Sequence, residues 1–128
     1  MPTIWVVDDD EEMAHAIQLM LRLIQFEPEG FLSARAAAQA LLSGNLPDLV
    51  LLDISMPEVS GLDLLEFIRR RGDWSHVPVV MLSTEAADVT VDRALALGAD
   101  GYITKPVTLE ELESAVSHAI EKHGKGQS

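Results

Sequence analysis

A chain of 128 residues, 48% apolar and without cysteine, is long enough for one domain with its own core and carries neither a disulfide framework nor thiolate chemistry. Its 21 acidic against 9 basic residues leave a formal net charge of −12, which argues against a phosphate-gripping nucleic-acid face and suits basic protein partners or bound cations. No apolar run approaches ~18 residues, and Met1-Pro2-Thr3-Ile4-Trp5 lacks the basic segment and apolar core of a signal peptide, so a cytoplasmic setting without membrane contact is expected.

Ile4-Trp5-Val6-Val7 is a short apolar run that ends in Asp8-Asp9-Asp10-Glu11-Glu12. It predicts a buried strand followed by a helix with Met13, Ile17, Met20, Leu21 and Ile24 on one face. Asp10, Glu11 and Glu12 suit the helix N-terminus, where negative charge meets the positive end of the macrodipole. Asp8 and Asp9 fit that explanation less well, since they precede the helix. Glu27 to Leu32, broken by Pro28 and Gly30, predicts a weak edge strand. Ser33 caps a helix over Ala34–Leu42 that Gly44 stops.

Leu49-Val50-Leu51-Leu52-Asp53 is an unbroken apolar run ending in a carboxylate, the pattern of a strand buried on both faces. Taken alone, Asp53 reads equally well as a turn-initiating residue. After the Pro57–Gly61 loop, Leu62, Leu65 and Ile68 mark another amphipathic helix, closed by Arg69-Arg70-Arg71-Gly72, whose three cations suit a helix C-terminus. Trp74 and a solitary His76 lie in the next loop, and His76 is expected at the surface. Pro78–Ser83 predicts a fourth strand, Thr84–Leu97 a helix closed by Gly98, and Tyr102–Thr104 a fifth strand running into Lys105-Pro106. Thr108 and Glu111 have capping-box spacing ahead of a last helix with Leu112, Ala115, Val116 and Ala119 apolar. Residues 1–123 form the expected domain, with 124–128 as a flexible tail.

Strand and helix alternate five times, which means a parallel sheet covered by helices on both faces. In the doubly wound order 2-1-3-4-5 the carboxyl ends of strands one, three, four and five share one edge. Those ends carry Asp8 and Asp9, Asp53, Ser83 and Lys105. Several carboxylates in one pocket repel each other unless a cation joins them. An all-oxygen donor set suits Mg²⁺, or Mn²⁺, more than zinc. Carboxylates, a divalent metal, a lysine and a hydroxyl together fit phosphoryl transfer, and a carboxylate can itself be the nucleophile. Asp53, being central, is the best placed.

With those residues in hand, the chain resembles the receiver (phosphoacceptor) domain of two-component response regulators. The resemblance rests on Asp8-Asp9, Asp53 with Met56-Pro57 and Gly61, Ser83, Gly98-Ala99-Asp100-Gly101-Tyr102 and Lys105-Pro106, and it covers about residues 3–122. It implies a flavodoxin-like (βα)5 fold. It implies Asp53 as acceptor of phosphate from a sensor histidine kinase or histidine phosphotransfer protein. Mg²⁺ would be bound by Asp9, Asp53 and the backbone carbonyl of Ser55, with Asp8 acting through water. Lys105 would pair with the phosphoryl oxygens and Ser83 would move toward them. Tyr102 would follow, altering the face of helix four, strand five and helix five that meets a downstream protein or output domain. The Lys105-Pro106 bond would be cis. Ser55 and Glu85 occupy the two positions that tune phosphoryl lifetime.

Such a chain is a switch whose only chemistry is to gain and lose its own phosphate, as a monomer or a phosphorylation-dependent dimer. Three other readings compete. A phosphatase of the haloacid dehalogenase type needs a second Asp two residues after the nucleophile, where this chain has Ser55. A flavodoxin-like cofactor carrier needs a Gly- or Ser/Thr-rich loop after strand one, where acids stand. A pseudo-receiver that binds partners without phosphate would have lost part of the residue set.

Overall fold

The structure, a computed structural model, describes residues 2–56, 58–72, 74–84 and 88–126, and their side chains except at 88–90 and 123–126. Five strands alternate with five helices: β1 (Thr3–Val7), α1 (Glu11–Leu23), β2 (Glu27–Phe31), α2 (Ala34–Leu42), β3 (Leu49–Asp53), α3 (Gly61–Arg70), β4 (Val79–Ser83), α4 (Asp88–Ala96), β5 (Gly101–Thr104) and α5 (Leu109–Gly126). All pairings are parallel and the order is β2-β1-β3-β4-β5, as the alternation predicts.

The apolar runs explain the order. β3 and β4 are buried at every position, and β1 at all but its first. Such strands need helices on both faces. Successive side chains alternate between two cores. Trp5, Val7, Val50, Leu52, Val79 and Met81 meet α2, α3 and α4 on one face, whereas Ile4, Val6, Leu49, Leu51, Val80 and Leu82 meet α1 and α5 on the other. Each large aliphatic side chain buried in this way contributes on the order of 1.5–3 kcal/mol. The broken segment Glu27–Phe31 pairs only with β1 and is mostly open to solvent, as Pro28 and Gly30 foretell. Glu27 and Phe31 bound it, one residue short of the expected Leu32.

Local signals set the helix ends. Asp10 accepts from the Met13 N–H at 3.1 Å and Ser33 from the Ala36 N–H at 3.1 Å. Thr108 accepts from the Glu111 N–H at 3.2 Å. Gly44 and Gly98 end α2 and α4 at φ 98° and 108°, a region that disfavours other residues. α5 continues to Gly126, past residue 124 where the tail was expected to start. α4 begins at Asp88, and Glu85 lies outside the described residues, as does Pro57.

The arginine run behaves differently from its expected role. Arg70 pairs with Glu66 along the helix, and Arg71 stacks over Trp74, 4.9 Å from the ring centroid. Arg69 instead turns inward. Its Nε donates to the Gly98 carbonyl at 3.0 Å, and one terminal nitrogen donates to the Ser75 and Val77 carbonyls at 3.1 and 2.6 Å. The other meets Asp100 Oδ2 at 3.0 Å, and that oxygen also accepts from the Val79 N–H at 2.9 Å. Arg69 falls four residues after buried Leu65 and next to buried Ile68, so it extends the buried stripe of α3. The helix dipole is a minor part of what it does.

Candidate functional site

The parallel sheet delivers its carboxyl ends to one edge, and the polar strand ends gather there. Asp8 follows β1, Asp53 closes β3 and Ser83 closes β4; all three are buried among otherwise apolar strands. Asp9 is exposed beside them. Carboxylate oxygens of Asp8, Asp9 and Asp53 lie within 4.8 Å of one another, close enough to share one cation. Lys105 reaches in from beyond β5. Its Nζ lies 2.7 Å from Asp8 Oδ2 and 3.5 Å from Asp53 Oδ1. The Lys105 N–H donates to the Ser83 carbonyl at 2.7 Å, which ties the lysine to the end of β4, and the following Lys105-Pro106 bond is cis.

The loop after β3 is held by a close backbone approach. The Gly61 N–H donates to the Ile54 carbonyl at 3.0 Å, so α3 starts against the strand that carries Asp53. A Cβ on Gly61 would come within 2.0 Å of the Asp53 carbonyl oxygen, which only glycine avoids. Ser60 and Asp63 cap each other just before this contact, a capping box outside the sequence expectations. Ser55 is exposed, and its backbone N–H favours the charged form of the Asp53 carboxylate.

The electrostatics follow from burial and crowding. Burial, then the Asp8 charge, pushes the Asp53 carboxyl up to about 6; Lys105 and the Ser55 N–H oppose the rise without cancelling it. For Lys105 the largest influence is burial, which disfavours its charge. The hydrogen bond to Asp8 and the charges of Asp53 and Asp8 together outweigh it, so its pKa is raised. One ammonium therefore serves two buried carboxylates, with a third alongside, and the deficit of positive charge is what a divalent cation would fill. Three hard oxygen donors, one on the solvent side at Asp9, suit a cation that keeps part of its hydration shell.

Of the other expected site residues, Tyr102 lies on β5 away from the carboxylates, 46% exposed. His76 is exposed, as expected, and Trp74 is buried. Sequence reasoning missed the Lys105–Asp8 ion pair and the Arg69–Asp100 cluster at the opposite end of the sheet. The first joins residues 97 positions apart, and no local pattern announces it.

Comparison with known proteins agrees with this fold. The response regulator receiver domain family model matches residues 4–117, and the chain belongs to that family. Among curated relatives, the phosphate regulon transcriptional regulatory protein PhoB of Rhizobium meliloti (strain 1021) is 33% identical over 122 residues, 95% of this chain and 53% of PhoB. The sensory transduction protein RegX3 of Mycobacterium tuberculosis (strain ATCC 25618 / H37Rv) is 32% identical over 128 residues, 100% of this chain and 55% of RegX3. The chain thus spans about half the length of these relatives. A solved CheY-like receiver domain protein from Methanospirillum hungatei JF-1 superposes with a TM-score of 0.88 at 25% identity, covering 98% of each chain. No helix among the described residues is long and apolar enough to cross a membrane.

Proposed function

We propose that this receiver domain is a phosphorylation switch with Asp53 as its acceptor. The observation that carries the reading is the convergence of Asp8, Asp9 and Asp53 around the Lys105 ammonium at the carboxyl edge of the sheet. Asp9, Asp53 and the backbone carbonyl of Ser55 would hold Mg²⁺, or Mn²⁺, with Asp8 contributing through water. A bound ion would supply positive charge that lowers the repulsion between the phosphoryl oxygens and the carboxylate nucleophile.

The chain's own residues do the rest. An ionised Asp53 oxygen attacks the phosphorus of an N-phosphorylated imidazole on a histidine kinase or phosphotransfer protein. The O–P bond forms as the P–N bond breaks; the imidazole nitrogen keeps the electron pair and takes up a proton from solvent. β3, buried on both faces, holds the nucleophile still. Lys105, now paired with Asp8, is within reach to pair with a phosphoryl oxygen at Asp53. Ser83 closes on the phosphoryl group, and Tyr102 follows to alter the α4–β5–α5 face for a downstream protein or output domain. The chain catalyses nothing beyond gain and loss of its own phosphate. The domain takes in residues 1–123, and its setting is the cytoplasm.

The test is intact-mass measurement after incubation with phosphoramidate and Mg²⁺. The expected result is one base-labile phosphoryl adduct that disappears without metal and in Asp53→Asn. No adduct, together with no response to beryllofluoride, overturns the reading and leaves a phosphate-independent interaction module.

A further inference from the structure

At the amino edge of the sheet, opposite the carboxylates, the end of α2, the α2–β3 connection and the α3–β4 connection line a cavity of about 260 Å³. Leu41 and Trp74 are its buried part, and Leu42 and Leu46 stand at its mouth, 58% and 52% exposed. Arg71 completes the wall, itself exposed, with its guanidinium 4.9 Å from the Trp74 ring centroid. Arg35, Arg69, Arg70, Lys105 and Lys122 each lie against a carboxylate, whereas no described carboxylate pairs with Arg71. The described lining holds no acid either. Exposed leucines are ordinary when scattered singly. Here two of them share one concavity with an unpaired cation, in a chain whose net charge is −12.

We infer that this cavity takes an acidic segment of another protein, with one large apolar side chain seated against Leu42, Leu46 and Trp74 and the neighbouring carboxylate on Arg71. The volume decides the kind of occupant. It falls below the ~300–1,000 Å³ of sites that enclose a whole small ligand, and suits a single anchoring side chain. Stacking on Trp74 holds the guanidinium flat, and a stacked guanidinium keeps its in-plane N–H donors for a carboxylate, which can accept two of them. The charge of the whole chain sets a limit. It repels a strongly acidic partner at long range, so the segment carries one acid beside the anchor and not a run of them. A second copy of the chain fits worse. A two-fold contact confined to the cavity sets its lining against itself and brings Arg71 no described carboxylate. The cavity stands at the opposite end of the sheet from Asp53, and the inference does not rest on the phosphoacceptor reading.

Blocked hexapeptides test the inference. The parent is Gly-Ser-Phe-Glu-Ser-Gly; in three variants Lys or Gln replaces its Glu, or Ser replaces its Phe. Each is titrated into the ¹⁵N-labelled chain. The parent is expected to shift the Trp74 indole N–H and the amides of 42–46, and the Lys peptide and the peptide without Phe to shift them far less at equal concentration. Arg71→Gln should weaken the parent by about fivefold and leave the Gln peptide within about twofold. Arg22→Gln, on the exposed side of α1, changes the net charge equally and should leave the parent within about twofold. Leu46→Ser, at an exposed position that the fold tolerates, should weaken every peptide that carries Phe. Equal binding of the Glu and Lys peptides, equal weakening by the two arginine substitutions, or no shift of these signals by any peptide overturns the inference. So does a dimer in sedimentation whose formation shifts the same signals without peptide.

Discussion

Asp53 and Gly61 show how much single residues decide here. With its pKa raised from 3.8 to about 6, Asp53 holds its proton more tightly in the folded state than in the unfolded chain. The sign follows by linkage: relative to low pH, the metal-free protein loses stability as pH rises from about 4 through about 6, because the unfolded chain ionises first. A tenfold difference in proton affinity between the two states corresponds to about 1.4 kcal/mol. A divalent cation competes with that proton, so the Mg²⁺-induced rise in Tm should grow as pH passes from 5 to 7. A rise independent of pH, measured at fixed ionic strength, would remove Asp53 from the ligand set. Lys105→Ala leaves Asp8 and Asp53 without their shared cation. Mg²⁺ should then stabilise at least as well as in the parent, while the beryllofluoride response at Tyr102 is lost; a Tm that no longer responds to Mg²⁺ would put the lysine's role elsewhere. Gly61→Ala drives a methyl group into the Asp53 carbonyl, which backbone on both sides must relieve. A loss of about 2–4 kcal/mol in denaturant melts, with slower adduct formation, is expected; overpacking and strain of this kind cost at least ~1–3 kcal/mol. Gly44→Ala, with no atom within 4 Å of the added carbon, should cost only about 1 kcal/mol from its φ of 98°.

Between elements, the Arg69 cluster carries the comparable weight. One guanidinium joins the end of α3 to the α3–β4 and α4–β5 connections, and its acid partner also holds the first N–H of β4. Removing one member of a partly buried pair leaves the other desolvated and uncompensated. Arg69→Met should therefore destabilise by about 3–5 kcal/mol, and Asp100→Asn by a similar amount. The double substitution should cost clearly less than the sum, as a double-mutant cycle in urea would reveal; strict additivity would mean the two do not act together. Intact-mass phosphorylation at saturating Mg²⁺ should survive Arg69→Met below its unfolding range, because the cluster stands at the opposite end of the sheet from Asp53. This clamp was legible only in part. The spacing from Leu65 puts Arg69 on the buried side of α3, but its acceptors come from residues 75, 77, 98 and 100, which no local pattern brings together.

Across the whole molecule, the net charge of −12 sets a background of self-repulsion that rises with compactness. Added NaCl screens it and should raise Tm gradually. Mg²⁺ at matched ionic strength should add a saturable increment, about 2.7 kcal/mol at a hundredfold excess over its dissociation constant. Two curves that superimpose would mean that the ion only screens and does not bind the carboxylates.

Much of this molecule could be read before folding it. Fully apolar runs require two covered faces, five strand–helix repeats require a parallel sheet, and chain chirality then brings four strand ends to one edge. That logic alone assembled Asp8, Asp9, Asp53, Ser83 and Lys105, because strand ends are fixed by local pattern and their common edge by topology. Tertiary structure decided what depends on distances between remote segments. Lys105 rests on Asp8 rather than only beside Asp53, Arg69 turns from a helix-end charge into a clamp, and Gly61 is required by a 2.0 Å approach rather than by its turn. Periodicity shows which side of an element is buried, but pairing among polar groups depends on which atoms packing brings within about 3 Å.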